Sequence, residues 1–156
     1  MERETGEAKG LDALRGNHLL LTTFRKSGEA VPTPVWYSRR GEQLYVFSNE
    51  KAGKVKRIRA SERVQIAPCT GTGRVIGPTL EARAHILPRE EQRVARRALR
   101  RKYWQVFPLF ELVSNGLLRR TWAFLEITLL PAVPPVPTAS SRRSVRQKTR
   151  RRQKQP

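Results

Sequence analysis

The chain has 156 residues, enough for one domain, with 38% apolar residues, a mean hydropathy of −0.60 and a net charge of +19 from 32 Lys and Arg against 13 Asp and Glu. No apolar run approaches the ~18 residues of a membrane span. The polar, acidic start from Met1 to Glu7 lacks the apolar stretch of a secretory leader, and the single Cys69 suits a reducing, cytoplasmic setting. The charge is uneven. Residues 132–156 hold eight basic residues and no acid, whereas residues 1–131 hold 24 basic and 13 acidic ones. The body is therefore basic without its tail, which leaves nucleic acid, an anionic membrane surface or a polyanionic small ligand as partners.

In chain order, residues 1–10 read as a polar lead-in and Leu11–Arg15 as a short helix stopped by Gly16. His18–Arg25 is a first strand, and the Lys26–Glu29 turn leads to a return strand over 30–38. Pro32 and Pro34 share one side of that strand and lack N–H donors, which predicts an edge or a bulge. After a turn at 39–42, Gln43–Ser48 is a third strand. The period then changes. Glu50–Ala60 reads as a short helix with Val55 and Ile58 inward and Ser48 or Asn49 as its cap. Val64–Cys69 is a fourth strand, 70–73 a hairpin turn and Thr79–Leu87 a half-buried fifth strand. Pro88 opens a helix to about Lys102 with Glu90 and Glu91 in its first turn. Phe107–Val113 is a further helical piece ended by Asn115–Gly116, and Thr121–Leu130 is the sixth strand. The Pro-rich, then basic, segment 132–156 has too little apolar content to order itself, so we expect it to be disordered.

Six strands in mostly antiparallel succession predict a mainly β, α+β domain over 11–131, a small barrel with peripheral helices. Within it, Ser48–Arg57 has the layout of a phosphate site: a strand end, a cap, then a helix with Gly53 in its first turn and Lys54 after it. Lys54 flanks the buried side, Arg57 lies one turn on, and Lys56 points to solvent; the alternative is an ordinary solvated basic face. Gly71–Gly77 has G-x-G-x-x-x-G spacing and sits between strands, so it reads as turn chemistry and not as a dinucleotide fingerprint. Pro32, Pro34 and Trp36 form either a rigid wall for a flat ring or ordinary packing. His18, Cys69 and His85 form no catalytic or metal-ligating pattern. The tail's basic residues at 142–154 carry no aromatic, so a weak, sequence-blind polyanion contact stands against a merely solubilising role.

The ordered series TTFR, TPVW, GKVKRIR, VQIAPC, GRVIGP, EARA and RRKY resembles the pyridoxamine-phosphate-oxidase-like split-barrel proteins over about residues 16–130. It is most similar to the class that uses the deazaflavin coenzyme F420. The resemblance implies a six-stranded antiparallel split barrel of FMN-binding type, a homodimer with cofactor grooves at its interface, and an oxidoreductase that transfers a hydride between reduced F420 and a small organic substrate. FMN is the alternative cofactor. The alternative function is a non-catalytic split barrel binding FMN, haem or a tetrapyrrole; a more distant one is a nucleic-acid-associated protein acting through the tail. On the family pattern Lys54 takes the cofactor phosphate with Gly53, Lys56 and Arg57 nearby, Ser48 lies near the ribityl or phosphate arm, and Thr33, Pro34, Val35 and Trp36 line the ring. The resemblance designates no catalytic side chain and no metal. Ala52 stands where relatives usually carry Ser, and Tyr103–Trp104 where they carry Tyr–Gly.

Overall fold

The computed structural model describes residues 10–119 and 121–131. The expected lead-in and tail fall almost wholly outside these residues. Six strands, β1 (His18–Phe24), β2 (Ala30–Arg40), β3 (Gln43–Asn49), β4 (Arg63–Cys69), β5 (Leu80–Ile86) and β6 (Trp122–Leu129), close a barrel in the order β1-β2-β3-β6-β5-β4. Every pairing is antiparallel. The helices are α1 (Gly53–Ala60), α2 (Gln92–Lys102) and α3 (Phe107–Leu112), the last continued by a π-helical turn over Val113–Leu117. The expected barrel with peripheral helices is the observed architecture.

Strand alternation builds the core. Leu19 and Leu21 of β1, Val35 and Tyr37 of β2, Leu44 and Val46 of β3, Val64 and Ile66 of β4, Ala82 and Ala84 of β5, and Leu125 and Ile127 of β6 all turn inward. Each barrel mouth is stoppered. Leu11 and Leu14 close the end where β1 begins, and Ile58 of α1 closes the end where β1 and β3 finish. A second core lies outside the barrel, where α2 and α3 cover the outer faces of β3 and β6 through Tyr45, Leu99, Phe107 and Phe124.

The structure corrects four local expectations. The N-terminal helix is a single turn at residues 10–12. Helix α1 begins at Gly53, and neither Ser48 nor Asn49 caps it; Asn49 Oδ1 instead accepts from the Lys51 N–H, which bends the chain before the helix starts. Glu90 and Glu91 precede α2, because Pro88–Glu91 forms a turn closed by the Glu91 N–H on the Pro88 carbonyl. Asn115–Gly116 does not stop α3 but lies within the π-helical turn, where the Leu118 N–H reaches the Val113 carbonyl.

Strand β2 changes partner along its length. Residues 30–36 pair with β1 alone, and 37–40 with β3 alone. Pro32 and Pro34 fall in the half that has no β3 partner, so their missing N–H groups deprive that strand of nothing. The barrel therefore parts between the start of β2 and the end of β3, and α1 sits at that opening. Ile58 is fully buried there. Replacing it with Ala is expected to lower unfolding stability by about 2–5 kcal/mol in urea titrations, as for other large-to-small core changes.

Candidate functional site

The site is built where β2 and β3 part. Ser48 at the end of β3 and Thr23 at the end of β1 have the inward parity of their strands, and both are buried. Helix α1 reaches each of them. Lys54 Nζ donates to Ser48 Oγ at 3.2 Å, and Arg57 Nε donates to Thr23 Oγ1 at 2.7 Å. The two cations thus bracket the start of β2, one tied to each neighbouring strand. Among the described residues neither has a carboxylate within ion-pair distance. Burial lowers the Lys54 pKa, and the positive charge of Arg57 lowers it further.

Two further features make this a cradle for an anion. The first N–H groups of α1 receive no side-chain cap and lie at the positive end of the helix dipole. A Cβ on Gly53 would stand 2.9 Å from Arg57 Nη1, so the missing side chain is what lets the guanidinium fold back over the helix start. Lys56 is exposed, as its position on the helical wheel requires. Thr23 escaped sequence reading; the available signal was a hydroxyl at the inward position of a strand end, a feature shared with Ser48.

The Thr33–Trp36 stretch divides between two faces. Val35 packs its side chain into the barrel core and Thr33 shares its parity, so Val35 presents no side chain to a groove. Pro34 and Trp36 face outward. Trp36 Nε1 donates to His18 Nε2 at 2.9 Å, and its ring stacks on Tyr103 at 5.3 Å between centroids, so one face of the indole is already covered. Phe47, beside Ser48 in sequence but on the outer side of β3, meets the edge of Trp36 at 6.3 Å. Tyr103 is held by donating its one hydroxyl proton to the Tyr37 carbonyl at 2.7 Å, with the Asn17 carbonyl also within reach at 3.0 Å, and burial pushes its phenol up to about 12. It therefore remains a protonated donor through neutral pH. The structure brings Ser48, Gly53, Lys54 and Arg57 together; Pro34 and Trp36 form a second surface on the other side of the sheet, reached across the unpaired edge of β2.

The other motifs settle into structural roles. Gly73 adopts φ +91° in the 70–73 turn, and a Cβ on Gly77 would lie 2.5 Å from Pro68 Cγ, which accounts for the spaced glycines as hairpin chemistry. Exposed His85 hydrogen-bonds Glu62 at 2.9 Å. Cys69 is buried, and burial pushes its thiol up.

Neither a protein-family model nor a curated protein matches the chain. Solved structures do. A conserved hypothetical protein from Mycobacterium tuberculosis superposes with a TM-score of 0.57 at 16% identity, over 85% of this chain and 92% of that one. A FAD-binding protein from Mesorhizobium loti gives 0.53 at 19% identity, over 78% and 86%. A haem storage protein from Vibrio cholerae gives 0.54 at 15% identity, over 76% and 83%. These structures share the six-stranded antiparallel barrel fold of this chain. At such identities the likeness is one of fold.

Gly53→Ala separates the site from the scaffold. Ala forms helix more readily than Gly, while the new Cβ displaces the flexible Arg57 head from its position. The expected outcome is a melting temperature equal to or above that of the parent, with thermal protection by inorganic phosphate reduced; a differential scanning experiment with and without phosphate reads both.

Proposed function

We propose that this protein is a cofactor-binding oxidoreductase of the split-barrel type that uses the deazaflavin coenzyme F420, with the cofactor phosphate held by Ser48, Lys54 and Arg57. The observation that carries the reading is the pair of half-buried cations on α1, tied to hydroxyls on the strands flanking β2 and lacking any carboxylate partner among the described residues. Two like charges kept together without a counter-ion are stabilised by an incoming anion. The uncapped N–H groups of α1 add to that attraction. The choice of F420 over FMN rests on the resemblance of the ordered motifs.

In this reading the unpaired edge of β2 carries the ring, with Thr33 on the inner side and Pro34 and Trp36 on the outer. The bound coenzyme supplies hydride transfer, and the chain supplies binding, orientation and exclusion of water. No side chain need act as nucleophile or metal ligand. Trp36 is fixed by His18 and Tyr103, so the wall it offers is rigid before any ligand arrives. A homodimer, expected from the resemblance, completes the groove in this proposal. The basic surface beyond the cradle, at Lys51 and Arg59, favours a coenzyme with several negative charges, although Arg59 is already engaged by Glu50 at 3.4 Å.

Titration of the purified protein with F420, FMN and haem, followed by absorbance, tests the reading. F420 is expected to bind most tightly, and its reduced form to be reoxidised in the presence of an enone or quinone acceptor. Preferential binding of haem or FMN, or binding of F420 without reoxidation, moves the protein to the non-catalytic alternative. Lys54→Ala removes a charge-assisted contact and should weaken F420 binding by roughly 10-fold or more, while Lys26→Ala, on an exposed turn, changes it less than about twofold. The pH dependence has a definite sign. Because the Lys54 pKa is lowered in the free protein, the ammonium is lost at a lower pH than for an ordinary surface lysine. F420 affinity should therefore begin to fall below the usual lysine range as pH rises, and this early fall should vanish in Lys54→Arg.

A further inference from the structure

The arginines of α2 divide into two groups. Arg100 donates from Nε to Glu111 Oε2 at 2.9 Å, and Arg96 lies 3.6 Å from Glu111 Oε1, so these two neutralise a buried carboxylate. Arg97 and Arg101 are exposed, face the other way and form no ion pair among the described residues. They line a cavity of about 580 Å³ between α2 and the end of β2, together with Arg39, Arg40 and Lys102. Five cations line this cavity and no carboxylate does. Of these five, Arg39 has a carboxylate partner, Asp12, at 2.9 Å from its Nη1.

Lys102 is the most telling member. Its Nζ donates to the Gly16 carbonyl at 3.0 Å and lies 3.8 Å from the centre of the Tyr37 ring. These contacts hold a half-buried ammonium in place at the cavity wall without neutralising it, and burial lowers its pKa. The floor is rigid: Ser38 Oγ donates to the Ala98 carbonyl at 2.8 Å, and Tyr103 donates to the Tyr37 carbonyl, so α2 is fastened to β2 directly beneath the charges. Packing cations around a concavity costs Coulomb energy in the free protein. Folding alone gives no return for that cost, because Arg97, Arg101 and Arg40 bury little.

We propose that this cavity is a binding site for a compact small-molecule polyanion carrying three or more negative charges, such as a polyphosphate group or a tricarboxylate. The volume lies within the range of small-ligand sites, and the guanidinium groups match phosphate and carboxylate oxygens in pairs. The site is distinct from the cradle on α1. Arg39 and Arg40 end β2 at the barrel mouth closed by Leu14, whereas Ser48 and Thr23 belong to the opposite mouth.

Calorimetric titration of the full chain with sodium tripolyphosphate and, separately, citrate tests the proposal. It is run at about 150 mM salt, where the Debye length of ~8 Å suppresses diffuse attraction. At least one probe is expected to bind, with affinity reduced 10-fold or more by the double variant Arg97→Ala with Arg101→Ala and likewise by the double variant Arg40→Gln with Arg97→Gln. Lys26→Ala, on an exposed turn, should stay within twofold of the parent. Tight binding of tripolyphosphate alone identifies phosphate as the source of charge, and comparable binding of citrate identifies carboxylate. Without ligand, these variants should melt at or above the parent temperature at low salt, since repulsion is relieved; a purely structural role would lower it. Absence of binding by both probes, or binding unchanged in both arginine variants, overturns the proposal. Loss of binding only in Lys54→Ala also overturns it, and would leave the α1 cradle as the anion site.

Discussion

The parting of β2 from β3 is the constraint on which the rest of the molecule depends. A barrel closes only if every strand finds a neighbour on each side. Strand β2 finds its two in succession, β1 along 30–36 and β3 along Tyr37–Arg40, and Pro32 and Pro34 lack donors in the stretch that β3 leaves. The opening that results exposes the inward positions of neighbouring strand ends, Thr23 and Ser48. Something must cover them, and α1 does so with one apolar stopper, Ile58, and two cations, Lys54 and Arg57, whose heads satisfy the buried hydroxyls. The scaffold's own need to close the mouth thus leaves a concentrated positive charge beside unpaired backbone, which is the physical basis of an anion-dependent cofactor site.

The same economy does not extend to the outer face. There α2 and α3 bury an aromatic layer in which Phe47 contacts Phe107, Phe110 and Trp122 at 5.2–5.7 Å between centroids. Glu111 enters this layer as a buried acid and recruits Arg96 and Arg100. An isolated carboxylate would be costly in such surroundings, so these arginines have a folding role. Arg97 and Arg101, on the same helix, have none. The basic character of the body therefore includes neutralising charge at Glu111, a pair on α1 without a carboxylate partner among the described residues, and a ring at the end of β2 in which only Arg39 has one.

Much of the fold was legible from residue patterns. Alternation located all six strands to within two residues or so at their ends, because inward and outward positions differ sharply in polarity. The change of period after Asn49 marked α1, and Val55 and Ile58 were rightly placed inward. Boundaries governed by local competition were not legible. Asn49 could cap a helix or close an Asx turn, and it does the latter. Pro88–Glu91 could begin α2 or form a turn, and the closing hydrogen bond chose the turn. For the site, the helical wheel was enough to set Lys54 and Arg57 on one side and Lys56 in solvent. It had no means of naming Thr23, which lies 34 residues from Arg57 in the chain.

The sequence by itself determined the barrel's strand content, the inward faces and the basic cluster that opens α1, since each follows from short-range periodicity and side-chain chemistry. Only the tertiary structure decided that β2 pairs with β1 along one half and with β3 along the other, that Thr33–Trp36 divides between two faces, and that Arg97 and Arg101 converge with Arg39 and Arg40 while Arg96 and Arg100 turn to Glu111. Those outcomes depend on which strands meet and where helices dock. These are long-range contacts, and no local pattern of residues encodes the distance between them.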